Sequence, residues 1–535
     1  MDGTIEDGIG VKTARIMYPL FAGQAIGIIF TAMTFIIVAR ILGPSQYGLY
    51  TFALGFAALV NGFLAFGVGP YFSSNLAGLM RKKDGEGILT VMGSGYIIAG
   101  ALGVILTLFG IGISGFVSGA FSNVGISPII LELAAGTIAF NILNIIGVSA
   151  LIGFSRTALA SLVNLLVDMV QLALSILLTV NFGVKGAVAA MLIGYGFGAV
   201  LAVYLVYRVF SKHFKFKIYV PNLAQIRKVF SVVWPLGVTN FLNTGMQNFS
   251  ILFLGLFVTT ATLGNYGAAS RGLALLSTIY LSLGSGLLPV FATAKEMFNK
   301  PHIINETYNK IIRFTLIIIL PVVMYVGALS IPGLSLLVGS QYDSAPLYLT
   351  LIAIGTMIGL FGTYINQLFI SGGHTRSVMK INFISAIVQL VLMVIIVPYA
   401  KVIGAIFVIF FIGNMIEAVM FAKDAQKLFG LKMEFRKLLM LYIGNIALGL
   451  VLAALYLGSS AYVAQLSSLY NAAILVAGLV VLLLVYPAIL IALKVVDRGD
   501  IKEMHKIVGK LGRIGTVFSS FFDYSEYLQR HIGGE

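Results

Sequence analysis

Ala39-Arg40-Ile41-Leu42-Gly43-Pro44-Ser45-Gln46-Tyr47-Gly48-Leu49-Tyr50 interrupts a stretch that is otherwise apolar from residue 14 to residue 69. A Gly-Pro pair beside a lone arginine marks the point where the chain leaves one helix and begins the next. The apolar runs on either side each exceed the roughly 20 residues needed to cross a bilayer. The same alternation continues along the chain and predicts fourteen spans. They lie near 14–38, 47–69, 88–112, 128–152, 158–180, 184–207, 229–256, 261–291, 311–335, 347–371, 378–399, 402–422, 438–458 and 469–493.

Composition agrees with this reading. Of 535 residues, 59% are hydrophobic and only 10% charged, against roughly 25% charged in a soluble domain. Mean hydropathy is +1.01. The expected fold class is an all-α polytopic membrane protein, without room for a large water-soluble catalytic domain. Cysteine is absent, which excludes disulfides, thiolate metal sites and cysteine nucleophiles but identifies no compartment. Residues 1–12 are short and acidic, so no cleavable signal is expected and the first span directs insertion.

The charge pattern orients the helices. With both termini on the cytoplasmic side, Arg40, Lys185 and Lys401 are the basic residues of the outer loops, and Arg271 lies within a span. The other thirty of the thirty-four face inward, among them Arg81-Lys82-Lys83, the run from Lys212 to Lys228, and Lys423 to Lys437. Such asymmetry is the signature of cytoplasmic loops, so the net charge of +15 needs no nucleic-acid partner. After the last span, Ile501, Met504, Val508, Leu511, Phe518 and Phe522 recur at helical spacing between Lys502, Lys506, Lys510 and Arg513. That pattern fits an amphipathic helix on the anionic inner leaflet, or a basic tail without fixed structure.

The opening stretch also occurs twice. Gly43-Pro44-Ser45-Gln46-Tyr47-Gly48 is echoed by Gly264-Asn265-Tyr266-Gly267, and Tyr18-Pro19-Leu20 by Trp234-Pro235-Leu236. Gly153-Phe154-Ser155-Arg156 matches Gly373-His374-Thr375-Arg376. Asn164, Gln171 and Gly186-Ala187 match Asn382, Gln389 and Gly404-Ala405. A shift held between 216 and 220 implies an internal repeat of six spans. Six is even, so the halves share one orientation. The predicted organisation is a six-helix bundle (1–210), a basic cytoplasmic linker (211–228), a second six-helix bundle (229–425), two added spans (426–494) and a cytoplasmic amphipathic tail (495–535).

The segment Ala39–Tyr50 resembles the join between the first two spans of polysaccharide-type flippases in the MOP (multidrug/oligosaccharidyl-lipid/polysaccharide) superfamily. Tyr266-Gly267-Ala268-Ala269-Ser270-Arg271 resembles its second-half counterpart. The superfamily also contains the MATE exporters and lipid II flippases. The resemblance implies two parallel six-helix repeats, translocation by alternating access, and the cytoplasmic membrane of a prokaryote. It further implies a lipid-linked oligosaccharide substrate on a polyprenyl phosphate or pyrophosphate, with polysaccharide polymerases or glycosyltransferases as possible partners. Flippases of this type are thought to hold the pyrophosphate with cavity arginines.

Polar residues inside spans identify candidate sites, because hydrocarbon tolerates them only when they face protein or water. Asn240, Asn243 and Gln247 form one stripe with Thr244 beside it. Gln24, Thr31 and Thr34 form another; Arg271, Thr278, Ser282 and Ser285 form a third. Asn164, Asp168, Gln171 and Ser175, with Asn382, Ser385 and Gln389, recur in both halves as scaffold amides would. The tenth span adds Asn366 and Gln367. Arg271 keeps its charge anywhere in the bilayer and its forked donors suit a phosphate; a structural pair with Asp168 is the competing reading. Arg15 is placed to meet the substrate as it enters, or to anchor the first span. Asp168 and Glu417 are the in-span carboxylates able to carry a coupling ion, H+ or Na+, although Glu417 can equally cap its helix. No acidic cluster suggests a metal site, no phosphate-binding loop is present, and no cofactor is expected. A MATE-type cation-coupled exporter of amphiphiles is the alternative. A membrane-embedded glycosyltransferase or polymerase is the remote one, since the outer loops hold almost no titratable groups.

Overall fold

The computed structural model describes residues 3–62, 68–212, 221–286, 301–460, 468–496 and 499. Its helices are α1 (Gly3–Gly62), α2 (Val68–Lys82), α3 (Gly85–Ala120), α4 (Pro128–Gly153), α5 (Thr157–Ser211), α6 (Leu223–Leu254) and α7 (Thr260–Gly286). They continue as α8 (Pro301–Ala328), α9 (Ser330–Leu337), α10 (Ala345–Ser371), α11 (Thr375–Ile406), a π-helical turn (Phe407–Gly413), α12 (Asn414–Phe429), α13 (Phe435–Ser460) and α14 (Ser468–Ala492). No strand occurs among the described residues. The predicted tail helix, and 213–220 of the basic linker, lie outside them.

Nine helices among the described residues are long and apolar enough to cross a membrane. Three of these are each two spans joined at a kink: α1 at Gly43, α5 at Gly183, and the run from α11 through α12 at Lys401. With α6 and α7, of 32 and 27 residues, the crossings number fourteen, as the sequence predicts. Two details differ from expectation. The second span is followed by α2, which carries helix on to Lys82, beyond the predicted end at 69. The ninth breaks at Leu329 (φ −103°, ψ 28°) into α8 and α9.

Backbone geometry also fixes the register of the repeat. Gly183 (φ 56°, ψ −133°) and Lys401 (φ 50°, ψ −129°) occupy one conformation at a shift of 218. Helix α4 ends with Ser155 at φ 59°, Ser155 N–H donating to Ile152 O and Arg156 N–H to Leu151 O. Helix α10 ends with Gly373 at φ 81°, Gly373 N–H donating to Ile370 O and His374 N–H to Phe369 O. Both are Schellman caps. Ser155 therefore corresponds to Gly373, and Arg156 to His374, again at 218. Matching Arg156 with Arg376 by residue identity is two residues out of register; one shift holds from Ser155 to Gly186.

Lys401 stands where the first half has glycine, in a region that disfavours side chains and costs about 1–3 kcal/mol. Lys401→Gly removes that strain at an entropic cost of about 0.5–1 kcal/mol. The expected result is a melting temperature in detergent higher by about 1–3 °C; an unchanged or lower value contradicts it.

The chain divides into two compact units. The first comprises Met1–Gly267 and Asn382–Ala405; the second, Ala268–Ile381 and Ile406–Glu535. Without a hydrophobic drive between helices in lipid, close backbone approach at small residues supplies much of the packing. In the first unit a Cβ on Gly147 would lie 2.5 Å from Ala202 Cβ, and one on Gly110 2.8 Å from Ala135 Cβ. Helix α4 is thereby pressed between α3 and the second half of α5. Phe72 covers Gly95 so closely that any side chain there would meet its ring. Of the amides and hydroxyls assigned to the scaffold, Gln171, Ser175, Asn382, Ser385 and Gln389 are buried. Gln389 Nε2 donates to Ser385 Oγ one turn away on the same helix at 2.8 Å, and Gln171 Nε2, Ser175 Oγ and Asn382 Nδ2 have no partner among the described residues. Asn164 of the predicted stripe is exposed.

In the second unit the two added spans are tied in by buried and part-buried hydrogen bonds. Tyr486 Oη on α14 donates to Ile317 O at 3.0 Å, Tyr325 Oη on α8 to Leu475 O at 2.7 Å, and Tyr442 Oη on α13 to Met357 O at 2.9 Å. At the basic end, Arg313 (4% exposed) pairs with Glu434 at 3.2 Å. Asn309 Nδ2 donates to Lys432 O at 2.9 Å, and Lys432 N–H to Asn305 Oδ1 at 2.8 Å. Loss of one partner leaves a buried polar group unsatisfied, so α13 and α14 are integral to this unit.

Candidate functional site

Helix α7 begins at Thr260, and Arg271 follows eleven residues later. At 1.5 Å per residue it stands about 16 Å along the helix, near the middle of a hydrocarbon core about 30 Å thick. Its side chain is exposed, as is that of Ala274 one turn on. Among the described residues Arg271 has no ion-pair or hydrogen-bond partner. A permanent guanidinium at that depth is costly against lipid tails, and such residues face the interior of a helix bundle or a water-filled cavity. Asp168, the expected partner, belongs to the first unit and Arg271 to the second.

Asp168 is half-buried on α5. A Cβ on Gly27 would come within 2.9 Å of Asp168 Oδ2, so the carboxylate rests against α1 where glycine leaves it room. Gly27 shares a helix face with Gln24 and Thr31, which are three residues before and four after it. The acid of α5 thus meets the polar face that the sequence assigns to the first span. Side chains of Arg15, Gln24, Asn240 and Asn243 lie outside the described residues, although all four are in helices α1 and α6. Thr244, Thr278, Ser282 and Ser285 are likewise outside. Gln247 is exposed on α6, and Glu417 is half-buried on α12 in the second unit.

The two copies of the opening motif pack on one another within the first unit. A Cβ on Gly48 would collide with Thr260 O, and one on Gly264 with Pro44 O. A Cβ on Gly267 would collide with Thr51 Oγ1. The contact is reciprocal, with each glycine admitting the other helix's backbone. Ser45 Oγ and Thr260 Oγ1 are 3.0 Å apart beside it, and Asn123 Nδ2 donates to Gly255 O at 2.7 Å. Below the crossing, Gly55 meets Ile251 and Gly62 meets Phe241. The second half of α1 thus lies along α6 from the end opposite the basic segments toward the middle. The sequence shows these glycines as an echo but does not show that the echoes touch.

One polar group within a predicted span was missed. Glu132, in the second turn of α4, accepts a hydrogen bond from Ser114 Oγ at 3.3 Å; its nearness to the helix end hid it. Among the described residues no three of His, Asp and Glu gather where they could hold a metal ion.

Residues 37–346, more than half of the chain, match the family described as polysaccharide biosynthesis protein. The chain belongs to this family. No curated protein matches it in sequence. Among solved structures, this family member is similar to the lipid II flippase MurJ in an inward closed conformation, with TM-score 0.66 and 16% identity over 87% of this chain and 97% of that one. A multidrug resistance MATE transporter of the MOP superfamily, inward-facing, gives 0.62 and 18% identity over 76% and 94%. A MOP superfamily transporter from Pyrococcus furiosus, described as having a binding pocket of reversed polarity, gives 0.55 and 19% identity over 78% and 95%. At these identities the likeness establishes the fold. The polysaccharide biosynthesis protein is thus a multi-pass membrane protein with the MATE and MurJ architecture.

Proposed function

We propose that this protein is a flippase that carries a polyprenyl-phosphate- or pyrophosphate-linked oligosaccharide from the inner to the outer leaflet for polysaccharide assembly. The observation that carries the reading is Arg271, an exposed and permanently charged guanidinium at mid-membrane depth. It suits a phosphate through paired donors, while amides such as Gln247 suit sugar hydroxyls. The prenyl tail stays in lipid. The basic segments mark the cytoplasmic side, and the Gly48–Gly264 crossing then closes the outer end. Asp168, lodged against Gly27, is the candidate for coupling to H+ or Na+. A MATE-type exporter of cationic amphiphiles shares the fold, but an arginine in the pathway with no partner among the described residues repels a cation.

Deletion of the gene is expected to abolish surface polymer and to leave the lipid-linked precursor accumulating on the inner leaflet, measured by lipid extraction and mass spectrometry. Unchanged polymer together with new drug sensitivity overturns the proposal in favour of the exporter.

A further inference from the structure

Within the first unit, the second half of α1 touches α6 along a line marked by two glycines. A Cβ on Gly55 would lie 2.9 Å from Ile251, and one on Gly62 would lie 3.1 Å from the Phe241 ring. Each helical residue is turned about 100° from the one before it. Phe56, one step after Gly55, turns to one side of this line and reaches α3 at Gly110. Asn61, one step before Gly62, turns to the other side, as does Thr51, which meets Gly267 of α7. Helix α6 runs antiparallel to α1 here. Gln247 stands four residues before Ile251 and eight before Gly255, which meets Phe52, and that turns it to the same side as Asn61. The two glycine contacts set Gln247 about three residues, or roughly 5 Å, outward of Asn61.

Neither amide is used up in packing. Asn61 Oδ1 is buried with no hydrogen-bond partner among the described residues, while the residue as a whole is half-buried. Gln247 is exposed. Asn61 stands thirteen residues beyond Gly48, about 20 Å along the helix and within a hydrocarbon core about 30 Å thick. Polar side chains at that depth face the bundle interior or water rather than lipid. Residues 41–80 and 229–270 contain no charged side chain, so this wall offers a phosphate no counter-charge. It offers donors and acceptors together, since each amide carries both, and those match sugar hydroxyls and acetamido groups.

We propose that Asn61 and Gln247 form a sugar-binding wall that reads the glycan of the lipid-linked substrate, separately from its phosphate. The proposal rests on the flippase reading above and adds to it where selectivity among glycans resides. Asn61 is the more discriminating of the two. Its Oδ1 is met only by a ligand that donates to it, and a glycan without that hydroxyl or N–H leaves the oxygen stranded.

The test measures binding of two probes to the full chain in nanodiscs: a polyprenyl pyrophosphate bearing one N-acetylglucosamine, and the same polyprenyl pyrophosphate without sugar. Wild type is expected to hold the sugar-bearing probe about ten-fold more tightly. Asn61→Ala and Gln247→Ala should each weaken that probe about five-fold, the scale of one hydrogen bond, and leave the bare probe unchanged. Gln247 is exposed, so its variant carries the comparison even where Asn61→Ala folds poorly. Arg271→Ala should weaken both probes. Wild type that binds the two probes alike, or amide variants that weaken both or neither, overturns the sugar wall and leaves the flippase reading standing. Wild type that binds neither probe overturns the flippase reading and the sugar wall with it.

Discussion

Arg271→Ala abolishes translocation while the protein still folds. The side chain is exposed and has no partner among the described residues, so its removal leaves no buried group stranded. What it removes is the charge that meets the phosphate. Truncating one member of a desolvated charge pair costs about 2–5 kcal/mol. Transport of a lipid-linked glycan into the outer leaflet should fall about a hundredfold or more, equivalent to roughly 3 kcal/mol. Arg271→Lys keeps the charge but not the fork, and should recover part of the rate. Equal rates for Arg271→Ala and wild type, at equal folded protein, remove Arg271 from the pathway. Equal and complete loss in both variants, with lowered melting temperatures, makes it structural.

Ser45→Cys with Thr260→Cys locks the molecule when oxidised. The two side-chain oxygens are 3.0 Å apart, close enough for sulfur atoms to bond at about 2.05 Å after a small adjustment. They flank the reciprocal Gly48–Gly264 contact. The chain contains no cysteine, so the pair forms in an otherwise silent background. If that crossing parts to release substrate, oxidation reduces transport to the level of empty vesicles and a reductant restores it. Maleimide labelling of the two thiols reports the extent of closure. Oxidised protein that transports as fast as reduced protein shows that the crossing does not move.

Much of this was legible in the sequence, and particular residues show where legibility stopped. Gly43-Pro44 and Gly183 announce their kinks because glycine is what such backbone requires. Pro398 and the lone Lys401 mark the turn between the spans 378–399 and 402–422, but only the repeat indicates that Lys401 takes the conformation of Gly183. Arg156 and Arg376 look equivalent by identity, but caps at Ser155 and Gly373 show that backbone hydrogen bonding holds the register and the arginine has drifted. The break at Leu329 is followed by Ser330, Pro332 and Gly333, residues that interrupt helices, which a single span over 311–335 passes over. For the site, depth was readable and facing only partly. Counting residues from Thr260 places Arg271 at mid-membrane, whereas the assigned stripe on α5 puts exposed Asn164 with buried Gln171 and Ser175. Periodicity cannot say which neighbour a stripe meets. That Asp168 meets Gly27, and that the two glycine motifs meet each other, are tertiary facts.

The most direct test is reconstitution of the purified protein into liposomes with a fluorescent polyprenyl-pyrophosphate oligosaccharide in both leaflets. Accessibility of the glycan to a membrane-impermeant modifying enzyme is then followed over time, with and without a proton or sodium gradient. The predicted result is redistribution of the glycan between leaflets that depends on the protein and is lost in Arg271→Ala. Efflux of a cationic dye by the same vesicles, with no movement of the glycan lipid under any gradient, would contradict it.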